Sequence, residues 1–179
     1  EKEQLYLHTE NYDAIVADRV KLIKAYPDNL GYKQALIDQL ILLDRIEQAN
    51  EELTKLSATE AERDIARYLK IKILLRQRKT LEAANEAAEV VNSKNIDLPE
   101  KLQMINSILD QAISTETFDK LVDLSKSLQT TYPDEYVAHA FSGDILFRLE
   151  KAEEAREAYL KAVAIEGGKF EVWQNILNI

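Results

Sequence analysis

The amino-acid sequence repeats itself with a period of about 34 residues, which is typical of arrays of two-helix units. This period restricts the fold more than any other feature. Five stretches have a polar turn followed by a small or apolar residue at a fixed place, and those residues are Ile15, Ala49, Ala84, Leu121 and Ala155. The intervals between them are nearly equal, and the third is the longest. One pair of helices cannot bury its own apolar face, so such units stack.

The prolines follow the same period. Pro27 and Pro133 stand at the same distance after the repeated residue of their units, and Pro99 lies one period before Pro133. Proline cannot donate a helical hydrogen bond and disfavours helix in the residue before it, so each proline predicts a boundary between helices. The extra residues of the third interval fit a longer loop around residues 92–97.

The periodicity between these boundaries is helical. From Ile65 to Leu75, apolar residues fall at offsets of three and four and cover nearly every side of the predicted helix. A helix that is apolar all round must be buried on several sides. The chain has only 4 Gly and 3 Pro, which disfavours the many turns of an all-β fold. The sequence therefore predicts an all-α protein.

The residues within each unit resemble the tetratricopeptide repeat. The pattern of that family has a small residue midway in the first helix, Ala early in the second helix, and an aromatic residue four positions later. Residues 136–169 match it best, with Gly143, Ala155 and Tyr159. The resemblance implies a right-handed α-solenoid of antiparallel helix pairs. Three units depart from the pattern, because larger residues occupy the small site: Ile37, Lys72 and Leu109.

The period divides the chain into units of a single solenoid. The predicted units are a partial repeat at 1–29, full repeats at 30–64, 65–101, 102–135 and 136–169, and the start of a truncated repeat at 170–179. Because the first and last units are incomplete, we expect this chain to be a piece of a longer array.

Composition argues against several classes of function. The net charge is −9 and the Lys and Arg residues are scattered among acids, which disfavours binding to nucleic acid or to an anionic membrane surface. No apolar run approaches the length of a membrane span. Without Cys, thiol catalysis and Cys-ligated zinc are excluded. The two histidines, His8 and His139, form no helical metal-binding pair. We expect no enzyme activity, cofactor or metal.

The resemblance implies a function in protein binding. In this family the first helices line a concave groove that holds peptides or helices of partner proteins. Carried over to this sequence, the groove residues are Gln34, Asp38, Ile41, Leu69, Ile73, Arg76, Asn106, Asp110, Ile113, Ala140, Asp144 and Phe147. The three aspartates would attract Lys or Arg, so we expect a partner with apolar anchors and some basic character. The alternative is a structural spacer or self-association module, in which the packing of the solenoid itself buries this groove.

The last residues predict weak self-association. Trp173, Ile176 and Ile179 are spaced by three and form one apolar stripe on a predicted helix. Exposed apolar surface favours pairing with another copy at high concentration. Sedimentation of the purified chain should show reversible association that is weaker than an obligate dimer. A strict monomer at high concentration, with the fluorescence of a buried Trp173, would contradict it.

Overall fold

The computed structural model describes residues 11–179, which contain ten α-helices and no strand. The predicted all-α architecture is confirmed for this part of the chain, and His8 lies outside it. The helices are α1 (Tyr12–Ala25), α2 (Leu30–Leu42), α3 (Ile46–Leu53), α4 (Glu60–Arg76), α5 (Thr80–Val90), α6 (Leu98–Leu109), α7 (Thr115–Thr131), α8 (Tyr136–Arg148), α9 (Ala152–Ile165) and α10 (Phe170–Leu177).

The helices pack as successive pairs. Every helix contacts the next one along the chain, and α2, α4, α6 and α8 also contact one another in that order. These four are the first helices of the pairs, so they form one continuous side of the array. No helix within residues 11–179 combines the length and apolar character needed to cross a membrane.

The prolines mark helix boundaries as the sequence predicted. Pro27 and Pro133 lie in the loops that precede α2 and α8, and Pro99 stands in the first turn of α6. Proline suits the first turn, where its missing amide would have no helical partner. The Asp97 side chain accepts a bond of 2.9 Å from the amide of Glu100, which caps the start of α6.

Three of the four turns within pairs share one design. Three residues separate the helices after α2, α4 and α8, and the central residue is left-handed: Asp44 at φ 58°, Arg78 at φ 61° and Glu150 at φ 59°. In each turn, the backbone amide of the residue after the left-handed one donates a hydrogen bond to the carbonyl five residues before it, in the preceding helix, as in a Schellman motif. The turn between α6 and α7 differs, because it has five residues, 110–114, and none is left-handed.

The extra residues of the long third interval are shared between two loops. Seven residues, 91–97, separate α5 from α6, in the region where the sequence predicted a longer loop. The five-residue turn at 110–114 takes up further residues, which the sequence did not reveal. The boundaries of the repeats themselves remain a prediction.

The core confirms the prediction for α4. Its buried residues lie on several sides of the helix and are Ile65, Tyr68, Leu69, Ile71, Ile73, Leu74 and Leu75. They belong to an apolar cluster that runs from Leu36 to Ile145. A second cluster holds the α8–α9 pair together. It includes Ala155 and Tyr159 of α9 and Val172 of α10.

Gly143 and Tyr159 interlock in the α8–α9 pair. Tyr159 is 1% exposed, and a Cβ atom built on Gly143 would lie 2.5 Å from Cε1 and 2.6 Å from Cδ1 of its ring. The ring cannot move aside easily, because its hydroxyl donates a bond of 2.7 Å to Asp144 at the other end. The absence of a side chain at residue 143 therefore allows the two helices to approach this closely.

We predict that Gly143→Ala destabilises the protein by about 1–3 kcal/mol, the usual effect of overpacking a tight core. Chemical denaturation measures the loss. Gly168→Ala is the matched control, because a Cβ there meets nothing within 4 Å and the backbone is not left-handed. The control should be neutral or slightly stabilising. Equal stability of Gly143→Ala and the wild type would contradict the interlock.

Candidate interaction surface

Three of the predicted groove residues lie in the core. Ile41 is 6% exposed, Leu69 is 0% exposed and Ile73 is 3% exposed. The register carried over from the family places them on the open side, but Ile41 of α2 belongs to the apolar core cluster, and Leu69 and Ile73 lie on α4, which is buried on several sides. The structure therefore removes these three from the surface that a partner could contact.

The other nine predicted residues are at least partly exposed: Gln34, Asp38, Arg76, Asn106, Asp110, Ile113, Ala140, Asp144 and Phe147. Eight of them lie on first helices or directly after one, and Ile113 lies in the five-residue turn between α6 and α7. We call these nine, together with Leu42, Lys72 and Arg148, the first-helix face. Leu42, Lys72 and Arg148 were not predicted, and each lies next to a predicted residue or one helical turn from it.

Polar links join successive first helices across this face. The ammonium group of Lys72 lies 2.6 Å from Asp38 Oδ1, which joins α4 to α2. Arg76 donates to the carbonyl of Leu42 at 3.2 Å, close to the same junction. Between α8 and α6, Arg148 donates to Asp110 at 2.8 Å and to Asn106 at 3.2 Å.

These links change the charge of the face. Asp38 and Asp110 each contact a cation of the next first helix, so the predicted row of aspartates is largely compensated within the chain. Burial is the largest influence on the pKa of Lys72 and lowers it, but the hydrogen bond and the charge of Asp38, together with Tyr68, outweigh burial, so the pKa is raised overall. The ammonium also lies 4.7 Å from the centre of the Tyr68 ring, which favours its charged form.

Asp144 accepts its hydrogen bonds from neutral partners. Its Oδ1 accepts a bond of 2.7 Å from the Tyr159 hydroxyl and one of 3.2 Å from the Asn175 amide. Although part of the residue reaches solvent, this oxygen lies beside a buried ring. Burial raises the pKa of Asp144 by more than the Tyr159 bond and the charge of Arg148 lower it. Burial and the bond to this carboxylate also raise the pKa of Tyr159.

Three large apolar side chains remain open on the first-helix face. Leu42 is 64% exposed, Ile113 is 90% exposed and Phe147 is 45% exposed. Ile113 and Phe147 are one repeat period apart in the sequence, but Phe147 lies in the last turn of α8 whereas Ile113 lies in the turn after α6. Leu42 and Phe147 each lie in the last turn of a first helix, so the ends of α2 and α8 both present an exposed apolar group.

Lys101 is a buried charged residue that the sequence did not single out. It is 0% exposed, and its ammonium donates to the carbonyl of Ser93 and, at 2.5 Å, to the Tyr132 hydroxyl. The ring centre of Tyr132 lies 5.0 Å away. Lys101 thereby ties the loop at 91–97 to the end of α7. The role of Lys101 is structural, because the network points into the packing and away from the first-helix face.

His139 packs in the interior. It is 5% exposed, and its Nε2 lies 2.9 Å from the carbonyl oxygen of Pro133. This contact fixes the ring against the loop before α8. Within residues 11–179, no group of three or more His, Cys, Asp or Glu side chains is arranged to hold a metal ion.

Solved tetratricopeptide-repeat proteins have the same fold. A structure of MamA is 18% identical, with a TM-score of 0.55, and the match covers 93% of this chain and 95% of that one. A MamA RS-1 double mutant is 16% identical with a TM-score of 0.54, and covers 93% and 91%. YrrB, described as a tetratricopeptide-repeat protein with an unusual peptide-binding site, is 12% identical with a TM-score of 0.52, and covers 96% and 86%. No family model and no curated protein matches the chain. The fold is therefore a tetratricopeptide-like α-solenoid, as the sequence predicted.

We predict that Asp144→Asn stabilises the protein at neutral pH. The amide oxygen still accepts from Tyr159 and Asn175, but no negative charge forms beside the buried Tyr159 ring. A raised carboxyl pKa means that the folded state holds the proton more tightly than the unfolded state. The wild type therefore loses stability as pH rises from the ordinary aspartate pKa through the raised value, and the variant lacks this loss.

Denaturation of both proteins between pH 3 and pH 7 measures the difference, which should grow with pH in favour of the variant. Asp123→Asn is the matched control, because it removes an equal charge from an exposed site without contacting Tyr159. A variant less stable than the control at pH 7 would show that the carboxylate is needed for the Tyr159 bond.

Proposed function

We propose that this chain is a protein-interaction scaffold that binds a peptide or a helical segment of a partner protein along the first-helix face. The observation that carries the proposal is the open apolar row of Leu42, Ile113 and Phe147 on that face. Single exposed apolar residues are ordinary on a protein surface. Leu42 and Phe147 lie in the last turns of two first helices, and Ile113 lies in the turn that follows a third. Apolar groups near the ends of successive first helices are how a solenoid presents anchors to an extended partner.

The polar groups around the apolar row are already fixed. Asn106 accepts from Arg148 and donates to Asp110 at 3.1 Å, so its side chain has one orientation before a partner arrives. Ordering of side chains on binding costs free energy, and a face that is ordered in advance avoids part of that cost. The remaining lone pairs of Asp110 and Asn106 are available to the amides of a bound backbone.

The chemistry of the partner follows from the charges. Since Asp38 and Asp110 are paired with Lys72 and Arg148, apolar contacts should contribute most of the affinity at this face. The net charge of −9 still favours approach by a basic partner over an acidic one. The structural likeness to YrrB, whose description names a peptide-binding site, supports a peptide as the ligand.

Self-association through α10 is the second candidate function. Phe170 is 71% exposed, Trp173 is 43% exposed and Leu177 is 83% exposed, whereas Val172 and Ile176 pack on the α8–α9 pair. Ile176 therefore does not belong to an exposed stripe with Trp173 and Ile179 as the sequence predicted, because it packs inward. The outward side of α10 is still apolar, since it carries Phe170, Trp173 and Leu177. A second copy could cover that outward side, which favours the alternative of a structural or self-associating module.

Peptide selection from a displayed library of random dodecapeptides tests the first proposal. Peptides that bind the full chain should lose at least about tenfold in affinity, roughly 1.4 kcal/mol, when Leu42 and Phe147 are both changed to Ser, because truncated apolar anchors dominate binding losses. The matched control changes Leu160 and Ile165 of α9 to Ser. Both are exposed to a similar degree, at 44% and 42%, but lie outside the face.

Equal loss in the two double variants would contradict binding at the first-helix face. Charge reversal of Asp110 is a poor substitute for this test, because it would also leave Arg148 without its carboxylate partner. Fluorescence anisotropy with labelled peptides gives the affinities, and circular dichroism checks that each variant remains folded.

A further inference from the structure

A cleft of about 510 Å³ opens where α6, α7 and the α8–α9 turn meet. It lies beside residues 110–114, the turn that lacks the tight left-handed geometry of the other three described turns within pairs. A five-residue turn does not draw the ends of α6 and α7 together as a three-residue turn does. The space left between them is within the range of about 300–1,000 Å³ that is usual for ligand pockets.

The floor of the cleft is apolar. It consists of buried or half-buried side chains from all three neighbouring elements: Leu109, Ala112, Phe118, Val122 and Leu149. Leu109 and Val122 are 7% and 6% exposed, so the floor is anchored in the packed interior. A large apolar side chain that entered here would exchange water for contacts on several sides.

The rim of the cleft carries charges that are not balanced. Arg148 is bonded to Asp110 and Asn106, and Lys151 lies 3.5 Å from Glu154, so both cations of the rim have acidic partners outside it. Asp119 and Glu150 are the acids of the rim, and neither side chain has a hydrogen bond or ion pair with any residue of the part that the structure describes.

The acidic character extends along α7. Glu116, Asp119 and Asp123 are spaced by three and four, so they share one face of that helix. All three are exposed, and Lys120 is the one cation among them, so the face is acidic overall. This edge meets the apolar floor along its length, because Thr115, Phe118 and Val122 of the same helix line the cleft. An apolar cleft bordered by carboxylates that have no ion-pair partner is complementary to a large apolar side chain with a neighbouring Lys or Arg.

We infer that the cleft receives a segment of a partner protein in which a large apolar residue adjoins a Lys or Arg. The apolar side chain enters the floor between Phe118 and Leu149, and the neighbouring cation lies against Asp119 and Glu150. The inference rests on the proposed function in peptide binding but assigns a second contact site. Of the residues of the first-helix face, only Arg148 also lines the cleft.

The same peptide selection, followed by NMR, tests the inference. Peptides enriched on the full chain should contain a large apolar residue next to Lys or Arg. When an enriched peptide is titrated into the ¹⁵N-labelled chain, the amide signals of residues 112–119 and 149–151 should shift. Asp119→Lys should weaken binding at least about tenfold, and Thr115→Trp, an exposed rim position, should weaken it by occupying the cleft.

Glu89→Lys is the matched control, since it makes the same change of charge at an exposed site on α5 with no partner to lose in the described part of the chain. It should leave affinity unchanged. If peptides bind but respond only to the Leu42 and Phe147 double variant, the inference fails and the proposed function stands. Enriched peptides that lack a basic residue would overturn the assigned chemistry, and a selection that yields no binder would overturn both proposals.

Discussion

Burial of apolar surface between successive helix pairs is the constraint on which this structure depends. Helix α4 shows it most clearly, because its apolar residues face several sides and each side is covered by a different neighbour. Neither α4 nor its partner α5 could be a stable unit alone, since their apolar surface is satisfied only by the array. The first-helix face exists because the same stacking aligns α2, α4, α6 and α8.

The sequence predicted the fold well for physical reasons. The repeat period, the prolines at helix boundaries and the apolar spacing all reflect local constraints, which one chain displays directly. Gly143 and Tyr159 could also be recognised, because a missing side chain opposite an aromatic ring is a packing requirement with a sequence pattern. The predicted face was less accurate. Leu69 and Ile73 were assigned by register, but in α4 burial on several sides overrides the register.

The sequence did not predict other features, because they join residues far apart in the chain or involve no characteristic residue type. The Lys72–Asp38 and Arg148–Asp110 pairs each bridge two repeats, and many other pairings of these charges were equally compatible with the sequence. The left-handed residues of the tight turns are Asp44, Arg78 and Glu150, none of which is the glycine that normally signals such a turn. The different turn at 110–114 therefore went unnoticed.

Charged side chains have different roles at the first-helix face and at the cleft. On the first-helix face, the cations of one repeat compensate the aspartates of the preceding one, so charge there serves to align helices and fix side chains. At the cleft beside residues 110–114, the cations are bonded outward and the carboxylates Asp119 and Glu150 have no counterpart in the described part of the chain. Charge on exposed rims affects the rate and specificity of association more than its final affinity. A basic partner approaching this acidic chain would therefore be oriented by the α7 edge, while the apolar floor and the row of Leu42 and Phe147 would set how long it stays bound.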